Sequence, residues 1–343
     1  MFSRLSGHTH VSPLSARPAF WSRISCFTFC LVLCALLAAC GQGTTTSAQP
    51  AATPTVAHDV YGKPITFQST APQRIISLTP SMSEILGALH LESRVVGIDY
   101  YTTYPADITK KPRISSSDGT YNNEQIVALK PDLVLSDGGL TKTTDNQLAA
   151  LNLHVIDLPS TSLEQVLQKI SLVGKLTFTQ SSAQTLVQQL QQQIATIKAA
   201  VAGTAAPKAL LELDDSVPGK PYVFGGGSFG DELLQDANGV NVFHANSSGG
   251  GYPQVTDEAI IAANPQFIIL TEDPAYGGNP TLVYQRPNWN GIAALTSHHV
   301  YAFNVNIMQH PSQRLVDGLR CLAQVLHPDK FKGSLPADCT GTI

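Results

Sequence analysis

The chain has 343 residues, with 21 Lys or Arg against 25 Asp or Glu, a formal charge of −4 and no block of basic residues. A nucleic-acid binder needs a basic stripe to displace counterions, so that class is excluded and no phosphate polymer is implied as a partner. The length exceeds one typical domain.

Residues 1–23 carry Arg4, Arg17 and Arg23 and no acid, and an apolar run over 24–39 follows, ending in Leu37-Ala38-Ala39-Cys40-Gly41. That run is marginal for spanning a bilayer, which takes about 20 residues, while the small residues ahead of Cys40 fit a lipoprotein cleavage box. Residues 1–39 are therefore predicted to be a signal peptide, with Cys40 as the lipidated first residue. An uncleaved anchor helix is the alternative, and either way the body lies outside the cytoplasmic membrane. Loss of 1–39 leaves 18 basic residues against 25 acidic, a net charge of −7. The Thr-, Ala-, Pro- and Gln-rich sequence that follows has few large apolar groups, and 40–70 reads as a flexible tether. Cys26, Cys30 and Cys34 leave with the signal and Cys40 takes the lipid, so Cys321, in the last helical pattern, and Cys339, in the tail, remain. In an oxidising compartment a disulfide between them is expected, with two free thiols as the alternative.

In the body, strands are predicted over 74–78, 94–98, 133–136 and 153–158 and helices over 82–89, 125–130 and 163–176, making an N-terminal lobe over 71–178. Ser81 and Glu84 have capping-box spacing. From 180 to 201 there is no Gly or Pro, and Leu186, Leu190, Ile194 and Ile197 recur at helical spacing. A helix of that length is about 33 Å long, enough for a single strut, and 179–203 is assigned as the connection. Strands over 209–213, 240–243 and 300–303 and helices over 231–237 and 312–326 follow in a C-terminal lobe over 204–330, with a tail over 331–343.

One pattern occurs twice. Glu124, Ile126, Ala128 and Pro131 before Leu133-Val134-Leu135 return 134 positions later as Glu258, Ile260, Ala262 and Pro265 before Phe267-Ile268-Ile269-Leu270. In each copy an amphipathic stretch stops at the residue before a proline and an apolar run follows, the mark of a helix feeding a buried parallel strand. Such strands need helices on both faces, so the fold class is α/β, with two related lobes joined once around a cleft. Chance likeness of two ordinary units is the alternative.

Several segments resemble the substrate-binding proteins of ABC importers for ferric siderophores and cobalamin. They are Ile76-Ser77-Leu78-Thr79-Pro80-Ser81-Met82-Ser83-Glu84, Val95-Val96-Gly97-Ile98-Asp99, Ile126 to Val134, Pro253-Gln254-Val255-Thr256, Arg286-Pro287-Asn288-Trp289, and Arg314 to Leu319 with Leu326-His327-Pro328. The resemblance covers most of the mature chain. It implies two Rossmann-like lobes on one long rigid helix, a metal chelate as ligand, a membrane permease as partner, a monomer and no enzymatic activity or cofactor of its own.

Loops after parallel strands face the crevice of an open sheet. That rule selects Tyr100 and Tyr101 in the first lobe, and Phe224, Tyr252, Arg286, Trp289, Asn306 and His310 in the second. Aromatic rings suit a large flat ligand and Arg pairs with anionic groups. Tyr101 and Tyr252 are equally readable as loop packing, Trp289 as a core plug and Arg314 as a helix start. Against cobalamin binders, Tyr101 and Tyr252 fall at aromatic contacts and Phe224 near a third, while Asn306 and His310 replace an acid and an arginine. Ferric siderophore binders present more basic groups than are found here. A corrinoid is therefore slightly favoured over a ferric chelate. The resemblance also assigns Glu84 to permease docking. Gln235 departs from the second docking position, leaving Glu232 or Asp236 to substitute.

Two other classes fit less well. Gly226-Gly227-Ser228-Phe229-Gly230 matches a nucleophile elbow, with Asp273 and His299 in hydrolase order, which would make an esterase using Ser228. A direct zinc or manganese binder would need three or four converging His or carboxylate ligands, and the histidines show no ligand spacing.

Overall fold

The computed structural model describes residues 57–274 and 277–340. The predicted signal peptide, Cys40 and the start of the tether lie outside them. In the first lobe β1 (Ile75–Ser77), β2 (Val95–Ile98), β3 (Leu133–Asp137) and β4 (Val155–Leu158) form a parallel sheet in the order β2-β1-β3-β4. Its helices are α1 (Pro80–Ala88), α2 (Asn123–Ala128), α3 (Lys142–Ala150) and α4 (Leu163–Thr177). The 22-residue α5 (Gln180–Val201) leads to the second lobe. There β5 (Lys208–Asp214), β6 (Tyr222–Val223), β7 (Val240–Asn241), β8 (Phe267–Leu270) and β9 (Val300–Ala302) build the second sheet. It carries α6 (Phe229–Asp236), α7 (Ser248–Gly251), α8 (Asp257–Ala263), α9 (Pro280–Val283), α10 (Ala293–Thr296), α11 (Val305–Met308), α12 (Leu315–Leu326) and α13 (Ala337–Thr340).

The repeat is a repeat of structure. β7 pairs with the start of β5 and the antiparallel β6 with its end, while β8 takes the other edge and β9 follows. Apart from β6, the order matches that of the first sheet. Ile75 faces Leu133 and Ala209 faces Phe267, both partners displaced by 134 positions. The helices before β3 and β8 even stop alike, since Lys130 and Asn264, each ahead of its proline, leave through positive φ of 48° and 47°. Coincidence of two unrelated units does not reproduce register and cap together.

Side chains alternate across each sheet with period two. Ile75, Leu133, Leu135, Ala209, Leu211, Phe267 and Ile269 face one continuous core shared by both lobes, into which α4, α5, α6 and α12 also pack. Ile76 and Val134 turn to a small outer core of the first lobe, and Leu210, Ile268 and Leu270 to one of the second. A shared core behind the connecting helix makes the two lobes one packed body. Cys321 of α12 is joined to Cys339 of α13 by a disulfide, Cα to Cα 5.7 Å.

The sequence expectations need correction in five places. Thr79, not Ser81, caps α1, its hydroxyl accepting from Met82 N at 3.4 Å, so no Ser81–Glu84 capping box forms. Helix α3 was not anticipated, because Lys142–Ala150 is polar and buries only Asp145 and Leu148. The strand expected over 240–243 shrinks to two residues, and the helix expected from 312 begins at Leu315. Residues 57–70 are no tether: Ile65 joins the core at 7% exposure, Val60 N donates to Asp157 O at 2.8 Å, and the Tyr61 hydroxyl donates to Asp145 at 2.9 Å and Asp157 at 3.0 Å. One buried apolar side chain and three hydrogen bonds hold a segment that composition alone reads as loose.

Tyr61 closes over two carboxylates. Burial, then the neighbouring Asp145, pushes Asp157 up from an ordinary 3.8 to about 7. The folded chain thus holds a proton that the unfolded chain releases between those values, and stability falls as pH rises through that window. Asp157→Asn removes this loss. Its thermal midpoint is expected to exceed that of the parent by about 2–4 °C at pH 8 and to approach it at pH 4, as calorimetry at both pH values would show.

Candidate functional site

The crevice expected between the lobes falls where α1 and the loop after β2 meet the segment between β9 and α12, joined by Glu84 to His310, Ser312 and Arg314. On the first-lobe side the floor is a buried polar chain. Asp137 ends β3 and accepts from the Thr79 hydroxyl at 2.5 Å and the Ser81 hydroxyl at 2.7 Å, and it pairs with Lys169 of α4. Lys169 has 0% side-chain exposure and Asp137 1%. Burial holds the Lys169 ammonium below its usual range, against the pull of Asp137. Sequence reasoning missed this pair. Its signal was a lysine on the apolar face of α4, among Val166, Ile170 and Val173.

After β2 the chain makes an aromatic rim. Tyr100 and Tyr101 stand edge to face with ring centroids 5.2 Å apart and are 47% and 54% exposed. The Asp99 carboxylate accepts from Tyr101 N at 2.7 Å and from the Thr102 hydroxyl. Arg113 ties the loop down through Asp99 O at 2.8 Å and Thr102 O at 2.6 Å. The loop crosses α1 at Gly87, where a Cβ would meet Pro105 Cγ at 2.4 Å. Tyr101 donates to Ser117 O, beside a polar recess of about 590 Å³ lined by Ser115, Ser116, Thr120, Tyr121 and Asn122.

In the second lobe the expected aromatic contact is Tyr252. Its ring packs on Phe224 at 5.7 Å and Phe229 at 6.2 Å, and burial pushes its hydroxyl up to about 12. Phe224 itself is fully buried. It sits over Gly230, where a Cβ would lie 2.3 Å from its ring, so it seats Tyr252 and does not face a ligand. Trp289 is likewise a core plug at 0% exposure. Arg286, expected to meet an anionic ligand, is already committed. It makes a two-pronged pair with Glu212 at 2.6 and 2.5 Å, reaches Asp215 at 2.8 Å, and lies 4.6 Å over the Trp289 ring. Burial and then Glu212 push the neighbouring Glu272 up to about 10, so it keeps its proton at neutral pH.

Glu84 is corrected most. It is 1% exposed and is turned onto the other lobe. Its Oε1 accepts from His310 Nδ1 at 2.9 Å and Arg314 at 3.2 Å, its Oε2 from the Ser312 hydroxyl at 2.5 Å, and its backbone carbonyl from Gln313 at 3.2 Å. Arg314 also lies 4.7 Å over Tyr104. Asn306 is 8% exposed and approaches Thr103 at 3.5 Å, the limit of a hydrogen bond. The two substitute docking acids are engaged as well. Glu232 accepts from Leu163 N at 2.6 Å at the start of α4, and Asp236 pairs with Lys198 of α5. Ser228, the esterase candidate, is buried and caps α6, donating to Gly225 O at 2.7 Å and accepting from Asp231 N at 3.2 Å. Among the described residues no three His, Cys, Asp or Glu side chains gather in metal-ligand geometry.

The chain is a two-lobed α/β body built on two related sheets. The model of the periplasmic binding protein family matches residues 75–304, and the chain belongs to that family. It is 30% identical over 288 residues to an uncharacterized ABC transporter substrate-binding lipoprotein of Bacillus subtilis, covering 81% of this chain and 87% of that one. It is 26% identical over 280 residues to a cobalamin-binding protein of Halobacterium salinarum, covering 80% and 74%. Among solved structures, the periplasmic heme-binding protein of Roseiflexus aligns with a TM-score of 0.67 at 23% identity, over 76% of this chain and 99% of that one. The chain is thus the extracytoplasmic substrate-binding component of an ABC importer, and not an enzyme.

Proposed function

We propose that the chain captures one metal chelate per monomer in the crevice, with a corrinoid favoured over a ferric siderophore, and delivers it to the permease from a lipid anchor at Cys40. One observation carries the choice. Every arginine at the crevice is committed: Arg286 to Glu212 and Asp215, Arg314 to Glu84, and Arg113 to backbone carbonyls. None is left to neutralise an anionic ferric chelate, whereas an amide-fringed corrinoid asks for ring faces and hydrogen-bonding recesses. Tyr100, Tyr101 and Tyr252 supply the first, and the recess beside Ser117 the second. The cobalamin-binding relative from Halobacterium supports the same reading.

Truncating either ring tests it. Tyr101→Ala and Tyr252→Ala are each expected to weaken corrinoid binding by about 1–3 kcal/mol in calorimetric titration. Unchanged curves for both would remove the crevice assignment.

A further inference from the structure

Away from the crevice, residues 57–68 form a strap on β4, an edge strand of the first sheet. Val60 N donates to Asp157 O at 2.8 Å, and the Tyr61 phenol oxygen lies 2.9 Å from Asp145 Oδ2 and 3.0 Å from Asp157 Oδ2. Asp145 also bonds Asp157 directly. A phenol carries one hydrogen and a carboxylate none, so these three contacts need a second hydrogen, on one of the carboxyl groups. The outer oxygens are taken, since Asp145 Oδ1 accepts from the Thr141 hydroxyl at 2.9 Å and Asp157 Oδ1 from Gly139 N at 3.2 Å. Both acids are buried, at 4% and 1% exposure. The surrounding charges are few. Lys63 of the strap and Lys142 of α3 lie over the Tyr61 ring, 5.8 and 5.6 Å from its centroid. Lys169 acts on Asp157 from α4 but is bound to Asp137. Asp59 takes the N–H groups of Tyr61 and Lys63 at 2.9 and 2.7 Å. Tyr121 faces Asp145 from the loop before α2, and burial raises its hydroxyl. His154, ahead of β4, meets Thr66 and Gln68 at 3.1 Å each, and burial lowers it, so that end of the strap loosens in acid and not in base.

We propose that Tyr61, Asp145 and Asp157 form a proton-operated latch: with one proton on the carboxyl pair the strap is closed on β4, and loss of that proton to water opens it. Two charged carboxylates in contact then have a single phenolic hydrogen between them. Opening relieves this, because the strap takes Tyr61 away and water reaches the pair. Burial, then Asp145, holds Asp157 at about 7 while the strap is closed, and opening returns it toward an ordinary carboxylate. The opening equilibrium therefore rises with pH up to about 7 and levels off above it. Little else resists, since Ile65 is the strap's one side chain buried in the core. An open strap adds 12 residues to the chain between Cys40 and the body, up to about 40 Å when extended. That gain in reach, unlike the latch, rests on the lipid anchor proposed above.

Amide hydrogen exchange of the purified mature chain at pH 6 and pH 8.5, corrected for the intrinsic pH dependence of exchange, tests the latch. The protection of the Val60 and Ile65 amides is expected to fall roughly tenfold between the two, while the β8 amides of the second lobe keep theirs. Asp157→Asn carries amide hydrogens at every pH and should hold the strap equally at both, and Asp145→Asn should behave alike. Tyr61→Phe lacks the phenol and should leave the strap poorly protected at both. Chymotrypsin should cut after Tyr61 in the parent at pH 8.5 at least several times faster than in Asp157→Asn at the same pH. Equal strap protection of the parent at pH 6 and 8.5, or the same pH dependence in both Asn variants, would overturn the latch. A fall shared by the β8 amides would overturn it too, by making the loss one of the whole fold. Mass spectrometry showing no lipid on Cys40 would overturn the gain in reach alone.

Discussion

Arg286→Ala should lower stability by about 3–5 kcal/mol, the cost of leaving buried carboxylates without their cation. Glu212 is fully buried and loses both prongs of its pair, Asp215 loses its 2.8 Å contact, and the Trp289 ring loses the guanidinium over it. Arg286→Lys should recover only part of this, since an ammonium cannot reproduce the planar fork. Urea unfolding measures the loss. In the folded fraction, ligand affinity should hold within about twofold, because Arg286 serves the second lobe's interior. A large affinity loss at unchanged stability would return Arg286 to the ligand.

Glu84→Ala is the second large effect, with about 3 kcal/mol of stability lost. One buried carboxylate satisfies His310, Arg314 and Ser312 from the opposite lobe. Its removal strands the arginine and frees the segment between β9 and α12. Amide hydrogen exchange should quicken across residues 305–314, and ligand affinity should fall together with stability. A permease-docking carboxylate would behave in the opposite way, losing transport while keeping both. A Glu84→Ala protein with parental stability and affinity would reinstate docking.

Much of the fold was legible because strand burial and helix termination write themselves locally. Lys130-Pro131 and Asn264-Pro265 announced two helix ends, and the apolar runs after them announced the central strands. The register of Ile75 on Leu133 and of Ala209 on Phe267 then follows from the same 134-residue displacement. Helix α3 was not legible, since it buries two side chains and shows no apolar stripe. The site was read less well for a related reason. Position after a strand pointed to Tyr101, Tyr252 and His310, but it could not say which polar groups had already found partners. Arg286 and Glu84 are sequence-distant from theirs, Glu212 by 74 positions and His310 by 226. Pairing across that separation is a property of the closed fold, and it commits Arg286, expected at the ligand, and Glu84, expected at the permease, to partners within the chain.

Chelate capture in the crevice is tested most directly by exposing the purified mature chain to a mixture of diaquacobinamide and a ferric siderophore, desalting it, and recording the visible spectrum. The account predicts a retained corrinoid band at one equivalent per chain, much reduced when Tyr101 and Tyr252 are both replaced by alanine. A retained ferric-siderophore band, or a corrinoid band that the double replacement leaves unchanged, would contradict it.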